Sequence, residues 1–197
     1  MIIESPQPYK ANYITFDFAR EKWQLNQYWE LRTKIFCQEQ QIFSESDKDE
    51  IDDKALPIIA ECSYGGQLDQ VVGVVRIDER EPGIWWGSRL GVAEQYRQMS
   101  RFNTFGLFNT SHPVHPFTMN LGGALIYKAV STALAFGCQE FYAYVQEQNV
   151  NFFSRMHWKS LGTEDLFGRT HHFMRCELDF YAPSQPSIFQ LNIRKAA

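Results

Sequence analysis

A glycine-rich turn at residues 120–125, N-L-G-G-A-L, opens a predicted helix in the second half of the chain. The first backbone amides of a helix have no partner within the helix, and the helix dipole adds positive potential around them. Gly122 and Gly123 carry no side chains that would block a close approach. The turn therefore predicts a cradle for a phosphate-bearing molecule, and a plain helix start with tight packing is the alternative. The amides of this cradle would come from Leu121, Gly122, Gly123, Ala124 and Leu125.

An acidic run in the first half of the chain could form ion pairs with nearby arginines. Residues 45–53 read E-S-D-K-D-E-I-D-D. Arg32 and Phe36 lie four residues apart, which places both on one face of a helix. Arg76 lies in a predicted strand, within the stretch V-V-R-I. An ion network between this run and the two arginines is one interpretation of the pattern. The alternative is a solvated acidic loop with ion pairs to Arg32.

The elements that must hold these residues are both strands and helices. The predicted strands cover 13–18, 58–64, 71–78, 84–92 and 141–145, with glycine turns at 65–66 and 81–83. The predicted helices cover 21–40 and 121–136, and the second ends at Gly137. Strands at 158–166 and 171–180 form a hairpin through a turn at 167–169. This order predicts one α+β domain: a mixed, mostly antiparallel twisted sheet with one βαβ unit and flanking helices.

The segment at 98–119 is the least regular part of the chain. It is rich in phenylalanine and contains His112 and His115. An irregular segment of this length within a compact domain is usually functional or disordered. Because its aromatic content argues against simple disorder, we predict a lid over a site.

The composition indicates a globular protein and narrows the classes of partner. The chain has 197 residues, of which 44% are hydrophobic, and a formal net charge of -4. No basic stripe favours nucleic acid, and no apolar run or N-terminal pattern predicts a membrane span or a secretory signal. The four cysteines have no paired spacing, so we predict reduced thiols in a cytoplasmic protein. Adjacent His171 and His172 would point to opposite faces of a strand, so no metal site is expected.

These patterns resemble the GNAT superfamily of acyl-CoA N-acyltransferases, and within it an uncharacterised group named for nitrogen starvation. The resemblance covers residues 12 to 181 and implies one GNAT-like domain across 1–197, with 98–119 as an insertion. The matching motifs are R-L-G-V at 89–92, Y-R at 96–97, G-G-A-L at 122–125, V-Q at 145–146, Q-N-V at 148–150, F-F at 152–153 and G-R at 168–169.

The resemblance implies acetyl-CoA as the co-substrate. In the family two parallel strands splay apart, and their exposed backbone pairs with pantetheine at the positions of Leu90, Gly91 and Val92. Asn149 corresponds to a residue that commonly contacts the pantetheine arm, and capping of the following helix is its alternative role. The signature arginine of the pyrophosphate site corresponds to Arg97, which the insertion separates from the glycines, and Arg101 is the alternative.

The proton transfers have several candidate residues. Phe153, in the part of the CoA site where the family often has a tyrosine, cannot protonate a leaving thiolate. Either another donor serves, or the thiolate leaves unaided, since a thiol pKa near about 8.5 makes it a tolerable leaving group. The candidate donors are Tyr142, Tyr144, His157, His112 and His115. The attacking amine must lose a proton, and Glu39 or Glu147 is the predicted base.

The first half of the chain also resembles the acyl-homoserine-lactone synthases and some small N-acetyltransferases of the same fold. The residues that carry this resemblance are Arg32, Phe36, Glu39, Glu45, Asp47, Asp52 and Arg76. It implies that Arg32, Asp47, Asp52 and Arg76 form an ion network that orders the acceptor loop, and that these residues and Phe36 bind the acceptor. An acidic pocket would attract a cationic acceptor, whereas the arginines could equally bind a carboxylate.

Three functions agree with these observations. The expected one is an N-acetyltransferase that transfers an acetyl group from acetyl-CoA to a small-molecule amine, by direct attack in a ternary complex. One alternative is an autoinducer-synthase-like acyltransferase that uses a longer acyl donor and S-adenosylmethionine. The other is a non-catalytic CoA-binding or sensing domain. The sequence leaves the identity of the acceptor open, and a homodimer is compatible with it.

Overall fold

One sheet of seven strands organises the part of the chain that the structure, a computed structural model, describes: residues 13–64, 67–98 and 120–184. The strand order is β1-β2-β3-β4-β5-β7-β6. The strands are β1 (Tyr13–Phe18), β2 (Leu56–Tyr64), β3 (Gln67–Glu81), β4 (Ile84–Val92), β5 (Glu140–Gln146), β6 (Trp158–Leu166) and β7 (Arg169–Cys176). Neighbouring strands are antiparallel except β4 and β5, which run parallel.

The helices of the described residues connect and cover these strands. They are α1 (Lys22–Arg32), α2 (Leu121–Ala135) and α3 (Val150–Arg155). A π-helical turn at Thr33–Glu39 continues α1, and a 3-10 turn occupies Glu50–Asp53. Because α2 connects two parallel strands, it runs antiparallel to them and begins near their C-terminal ends.

A helix packs closely against each face of the sheet. Gly73 and Gly91 face opposite sides, since Gly73 pairs with Val92 and its neighbour Val74 pairs with Gly91. A Cβ at Gly91 would lie 2.7 Å from Ile35, in the π-helical turn after α1, and a Cβ at Gly73 would lie 2.7 Å from Leu125 of α2. Both faces of the central strands are therefore buried, which explains their nearly continuous apolar sequence.

Local signals explain where several elements end. Gly137, with a φ of 88°, follows α2 in the left-handed conformation that glycine adopts at low cost. Phe167 and Gly168 have φ values of 54° and 69° and join β6 to β7. Positive φ at both central residues is typical of the type I′ turn, whose twist matches that of the strands.

The predicted α+β class and the order of meander, βαβ unit and hairpin are confirmed. The strand predicted at 171–180 is too long, because β7 ends at Cys176 and Leu178–Phe180 forms a 3-10 turn. The helix predicted at 21–40 is α-helical only to Arg32 and then π-helical. The turn at 65–66 and the predicted lid, apart from its first residue, lie outside the described residues.

Candidate functional site

The parallel strands β4 and β5 pair over only three residue pairs, from Ile84–Glu140 to Trp86–Tyr142. Beyond these pairs β4 remains paired with β3, and β5 remains paired with β7. The two strands therefore diverge toward their C-terminal ends, and a notch opens in the middle of the sheet. Backbone groups along the notch are available to a ligand that enters as an extended chain.

A β-bulge shapes the β4 side of the notch. Arg76 pairs with Ser88 and Val74 pairs with Gly91, so β4 has one more residue than β3 between these pairs. Arg89 lies in this bulge with a φ of 55°. A non-glycine residue in this left-handed conformation costs about 1–2 kcal/mol, so the contacts of its side chain must offset that cost.

Those contacts come from the acidic loop. Arg89 Nε lies 3.0 Å from Asp47 Oδ2, Arg89 Nη2 donates to the Asp47 carbonyl at 2.8 Å, and Arg89 Nη2 lies 3.1 Å from Asp49 Oδ2. The acidic loop is thus anchored to the one residue that bends β4 at the notch.

A cavity of about 260 Å³ passes through the notch and reaches both faces of the sheet. On the α2 face its walls are apolar and come from α2, β5, α3 and the start of β6. These residues are Ile126, Ala129, Val130, Phe141, Ala143, Val145, Phe153 and Trp158. Nearly all of their surface is buried. This half of the cavity is suited to an apolar group and offers no charge.

The α1 face of the cavity is polar and is held by a buried ion network. Arg32, which is fully buried, donates to Asp47 at 2.7 Å and to Asp52 at 2.6 Å. Arg76 Nη1 lies 2.7 Å from Asp52 Oδ1 and 2.6 Å from Asp49 Oδ1. Burial by itself would raise the pKa of Asp52, but hydrogen bonds from Arg32 and Arg76 lower it to about 2. The predicted network of Arg32, Asp47, Asp52 and Arg76 is confirmed.

The network places its predicted members at different depths. Phe36 and Arg76 line the cavity, whereas Arg32, Asp47 and Asp52 lie behind its wall. Asp49, which the sequence did not single out, lines the cavity and bridges Arg76 to Arg89. Because charged side chains in a run are indistinguishable by spacing alone, no sequence signal distinguished Asp49 from its neighbours.

The N-terminus of α2 is capped in part by its own sequence. Asn120 Oδ1 accepts a hydrogen bond from the Gly123 amide at 2.8 Å, and the Asn120 carbonyl accepts from the Ala124 amide at 3.0 Å. The predicted cradle is therefore smaller than the sequence suggested. Among the described residues, the amides of Leu121 and Gly122 are those that α2 leaves for a ligand, since Leu125 is already in the second turn.

The other predicted donor-site residues are spread around the notch. Leu90, Asn149 and Phe153 line the cavity. Asn149 precedes α3 but makes no side-chain hydrogen bond that caps it. Gly91 and Val92 continue β4 beyond the lining residues. Arg97 Nε donates to the Val92 carbonyl at 2.9 Å, and its guanidinium pairs with Glu39.

The predicted proton-transfer residues have unequal access to the cavity. Tyr144 lines it, and a hydrogen bond to Glu164 raises the pKa of its hydroxyl. Glu147 is exposed and Glu39 is engaged by Arg97, and neither lines the cavity. Their roles as bases stay predictions.

His171 is a further titratable residue in the cavity wall. It is 6% exposed, and its Nδ1 lies 2.8 Å from the Arg169 carbonyl. A carbonyl oxygen can only accept, so Nδ1 carries a proton and Nε2 of the neutral ring is the atom able to accept another. Within 13–64, 67–98 and 120–184 no group of side chains is suited to a metal ion, and no helix is long and apolar enough to cross a membrane.

The fold is shared with the solved structures of two acyltransferases and of Escherichia coli ElaA. Escherichia coli ElaA superposes with a TM-score of 0.63 at 18% identity, over 83% of this chain and 99% of that one. An acyl-CoA N-acyltransferase from Pseudomonas aeruginosa gives 0.58 at 16% identity, over 83% and 98%. An aminoglycoside 6'-N-acetyltransferase complexed with coenzyme A gives 0.58 at 12% identity, over 84% and 96%.

At these identities the likeness establishes the fold alone, which is also that of an acetyltransferase of the GNAT family from Staphylococcus aureus, with a TM-score of 0.58 at 14% identity over 84% and 99%. The sequence itself matches no protein-family profile and no curated protein. Any inference about activity therefore starts from two features of this chain, the notch between β4 and β5 and the first turn of α2.

Proposed function

We propose that the protein is an acyl-CoA-dependent N-acyltransferase that transfers an acetyl group from acetyl-CoA to a small-molecule amine. The observation that carries this proposal is the notch between β4 and β5, which opens toward the C-terminal ends of the two strands, the edge of the sheet near which α2 begins. An extended thioester arm in the notch would then have its pyrophosphate at a helix N-terminus, where anions are stabilised.

The donor would be held mainly by the backbone. The amides of Leu121 and Gly122 would bind pyrophosphate, and Arg97 would add a positive charge if it exchanged its pairing with Glu39 for one with phosphate. Residues 90–92 and the side chain of Asn149 would position the pantetheine arm. The bulge at Arg89 interrupts the regular pairing of β4 with β3, and an amide beside it would stabilise the oxyanion that develops on the acyl carbonyl.

The acceptor would approach from the α1 face, which carries the polar groups. His171 is suited to take the amine's proton through Nε2, because its Nδ1 proton is directed at the Arg169 carbonyl. Among the described lining residues, Tyr144 carries the phenol hydroxyl. It would protonate the thiolate only if its hydrogen bond to Glu164 were broken. Otherwise the thiolate leaves unaided, since Phe153 has no proton to donate. Attack is direct and needs no covalent intermediate on the protein.

Thermal unfolding with acetyl-CoA tests the donor site. A ligand that binds only the folded state stabilises it by about 2.7 kcal/mol at a hundred times its Kd. Among the described residues, the nearest neighbours of a Cβ at Gly122 would be Asn120 and Phe152 at 3.6 Å, so a Cβ there causes no clash with them. We expect Gly122→Glu to abolish the shift, because its carboxylate occupies and repels the phosphate position.

Gly122→Gln is the matched control, since it has the same size without the charge and should lose less of the shift. Absence of a shift with wild-type protein would contradict the proposal. A shift without turnover of any primary amine would instead favour the non-catalytic CoA-binding domain.

The cavity also favours a second candidate, an acyltransferase with a longer acyl donor and S-adenosylmethionine as acceptor. Its apolar half continues beyond the notch against α2, and the network of Arg32, Asp52 and Arg76 forms as expected. Each buried methylene is worth about 0.8 kcal/mol, roughly fourfold in affinity.

A series of acyl-CoA donors separates the two candidates. If kcat/KM rises from acetyl to hexanoyl, and Ala129→Leu restores the preference for acetyl, the longer donor is supported. If acetyl is preferred by wild-type protein, or if S-adenosylmethionine neither stabilises the protein nor is acylated, the second candidate fails.

A further inference from the structure

The charges that line the cavity indicate which class of acceptor it can bind. This inference rests on the proposed acyltransferase function. Among the described lining residues, the charged side chains are three guanidinium groups and one carboxylate: Arg76, Arg80, Arg89 and Asp49. The acidic run does not reverse this balance, because Asp47, Asp49 and Asp52 are each paired with Arg32, Arg76 or Arg89. A polycationic acceptor would therefore meet no free negative charge on these walls.

Arg80 differs from the other two lining arginines. Arg76 and Arg89 both donate hydrogen bonds to the acidic loop, and Arg76 also donates to Ser88. Arg80 donates only through Nε, to Asp78 at 2.9 Å, and its side chain is 38% exposed. In the described part of the chain its two terminal nitrogens have no polar partner. A guanidinium with its terminal donors free is suited to bind a carboxylate in a bidentate manner.

Aromatic rings form the surface beside Arg80. The guanidinium carbon lies 4.2 Å from the centroid of the Trp86 ring, which holds it in place by a cation–π contact. Trp86 packs against Tyr144, with centroids 5.6 Å apart, and against Phe173, with centroids 5.7 Å apart. Trp86 and Tyr144 line the cavity. They offer a flat apolar surface to a ligand that reaches Arg80.

The distance along β4 sets the shape of such a ligand. From Trp86, beside Arg80, to Leu90, at the bulge, is four residues, about 13 Å of extended strand. An α-amino acid is too short to place its amine in the notch and its carboxylate at Arg80. A molecule with its amine and its carboxylate at opposite ends of a ring fits this span better.

We infer that the acceptor is an elongated amine with a flat apolar body, whose far end carries a carboxylate that Arg80 binds. The amine enters the notch beside the bulge, the body lies on Trp86 and Tyr144, and the carboxylate meets the terminal nitrogens of Arg80. Arg80 would then determine substrate specificity, which distinguishes this site from one that binds polyamines.

Steady-state acetylation of three amines tests this assignment: para-(aminomethyl)benzoate, its primary amide, and spermidine. A hydrogen-bonded ion pair predicts a kcat/KM for the benzoate about 10-fold to 100-fold above that for the amide. Arg80→Gln should bring this ratio to about 1, because the benzoate loses an ion pair that the amide does not make, and Arg80→Lys should restore part of it. Arg175→Gln removes a charge from β7 outside the cavity wall and should leave the ratio unchanged.

The possible results separate the inference from the proposed function. Equal kcat/KM for benzoate and amide, a higher value for spermidine, or a ratio that survives Arg80→Gln overturns the inference while acetyl transfer itself stands. If acetyl-CoA gives no thermal shift and none of the three amines is acetylated, the proposed function fails and the inference fails with it.

Discussion

The two faces of the sheet around the notch are built in different ways. On the α2 face, side chains such as Ile126, Val130 and Phe141 close the cavity by apolar packing, which is non-directional and tolerant of shape. On the α1 face, three arginines and three aspartates fix the wall through short, directed contacts, several of them buried.

This difference determines how each face responds to change. An apolar wall loses stability in proportion to the volume removed. A buried ion network is strongly destabilised when any one member is removed, because the partner of that member is left as an uncompensated buried charge. The geometry of the bulge at Arg89 therefore depends more on the acidic loop than on the core beneath it.

The largest effect is expected when the ion network is broken at its centre. Asp52→Asn leaves Arg32 and Arg76 without the carboxylate they share, and we expect a loss of about 3–5 kcal/mol in the free energy of unfolding. Urea denaturation measures it. Asp53→Asn, on the exposed neighbour, should change stability by less than about 0.5 kcal/mol. Equal effects of the two substitutions would contradict the distinction between the two faces.

The next effect contrasts two carboxylates on the α1 face. Burial raises the pKa of Glu61 to about 7, although a hydrogen bond from Gln24 opposes the shift. Its unfolded pKa is about 4.3, so the native state binds more protons than the unfolded state between these values. Its contribution to the free energy of unfolding is therefore present at low pH and is lost as pH rises from about 4.3 to 7, by about 3–4 kcal/mol at 1.36 kcal/mol per pKa unit.

Asp52 has the opposite dependence. Its lowered pKa contributes stability above about pH 4, and that contribution is lost as pH falls toward 2. Denaturation midpoints of wild-type protein across pH 2–8 should therefore show two limbs: a fall in stability below about pH 4 and another fall between about pH 4.3 and 7. Glu61→Gln should flatten only the limb between pH 4.3 and 7, and Glu45→Gln, at an exposed position, should alter neither. A limb at neutral pH that persists in Glu61→Gln would exclude Glu61 as its source.

The smallest effect is expected on the α2 face. Ile126→Val removes one methylene from the apolar wall and should cost about 0.5–1.5 kcal/mol. If the two faces act as separate walls, KM for the amine stays unchanged while stability falls, and steady-state kinetics together with thermal unfolding test this. A change in acceptor KM larger than the change in stability would show that the faces are coupled.

Much of the fold was predictable because its signals are local. The apolar period of α2, the glycine at its end and the turns between strands each follow from short stretches of sequence. The ion network of Arg32, Asp47, Asp52 and Arg76 was also expected. What the sequence did not reveal was which acidic side chain faces the cavity, since Asp47, Asp49 and Asp52 lie within six residues of each other.

The remaining features of the site depend on tertiary placement. The left-handed φ of Arg89 is unfavourable by propensity and is maintained by contacts with residues more than thirty positions away. The capping of Gly123 by Asn120 reduces the cradle, and spacing alone does not show which amides it occupies. The free terminal nitrogens of Arg80 follow from where Trp86 and Asp78 hold its guanidinium.

The short pairing of β4 with β5 has a mechanical consequence. Within the described residues, three pairs are the whole sheet contact between β1–β4 and β5–β7. The two halves of the sheet are thus paired at one end and unpaired at the other, so Trp86 and Tyr142, the last pair, lie at a hinge between them. We expect their relative rotation to be the softest collective motion of the domain, and a molecule seated between them to stiffen it.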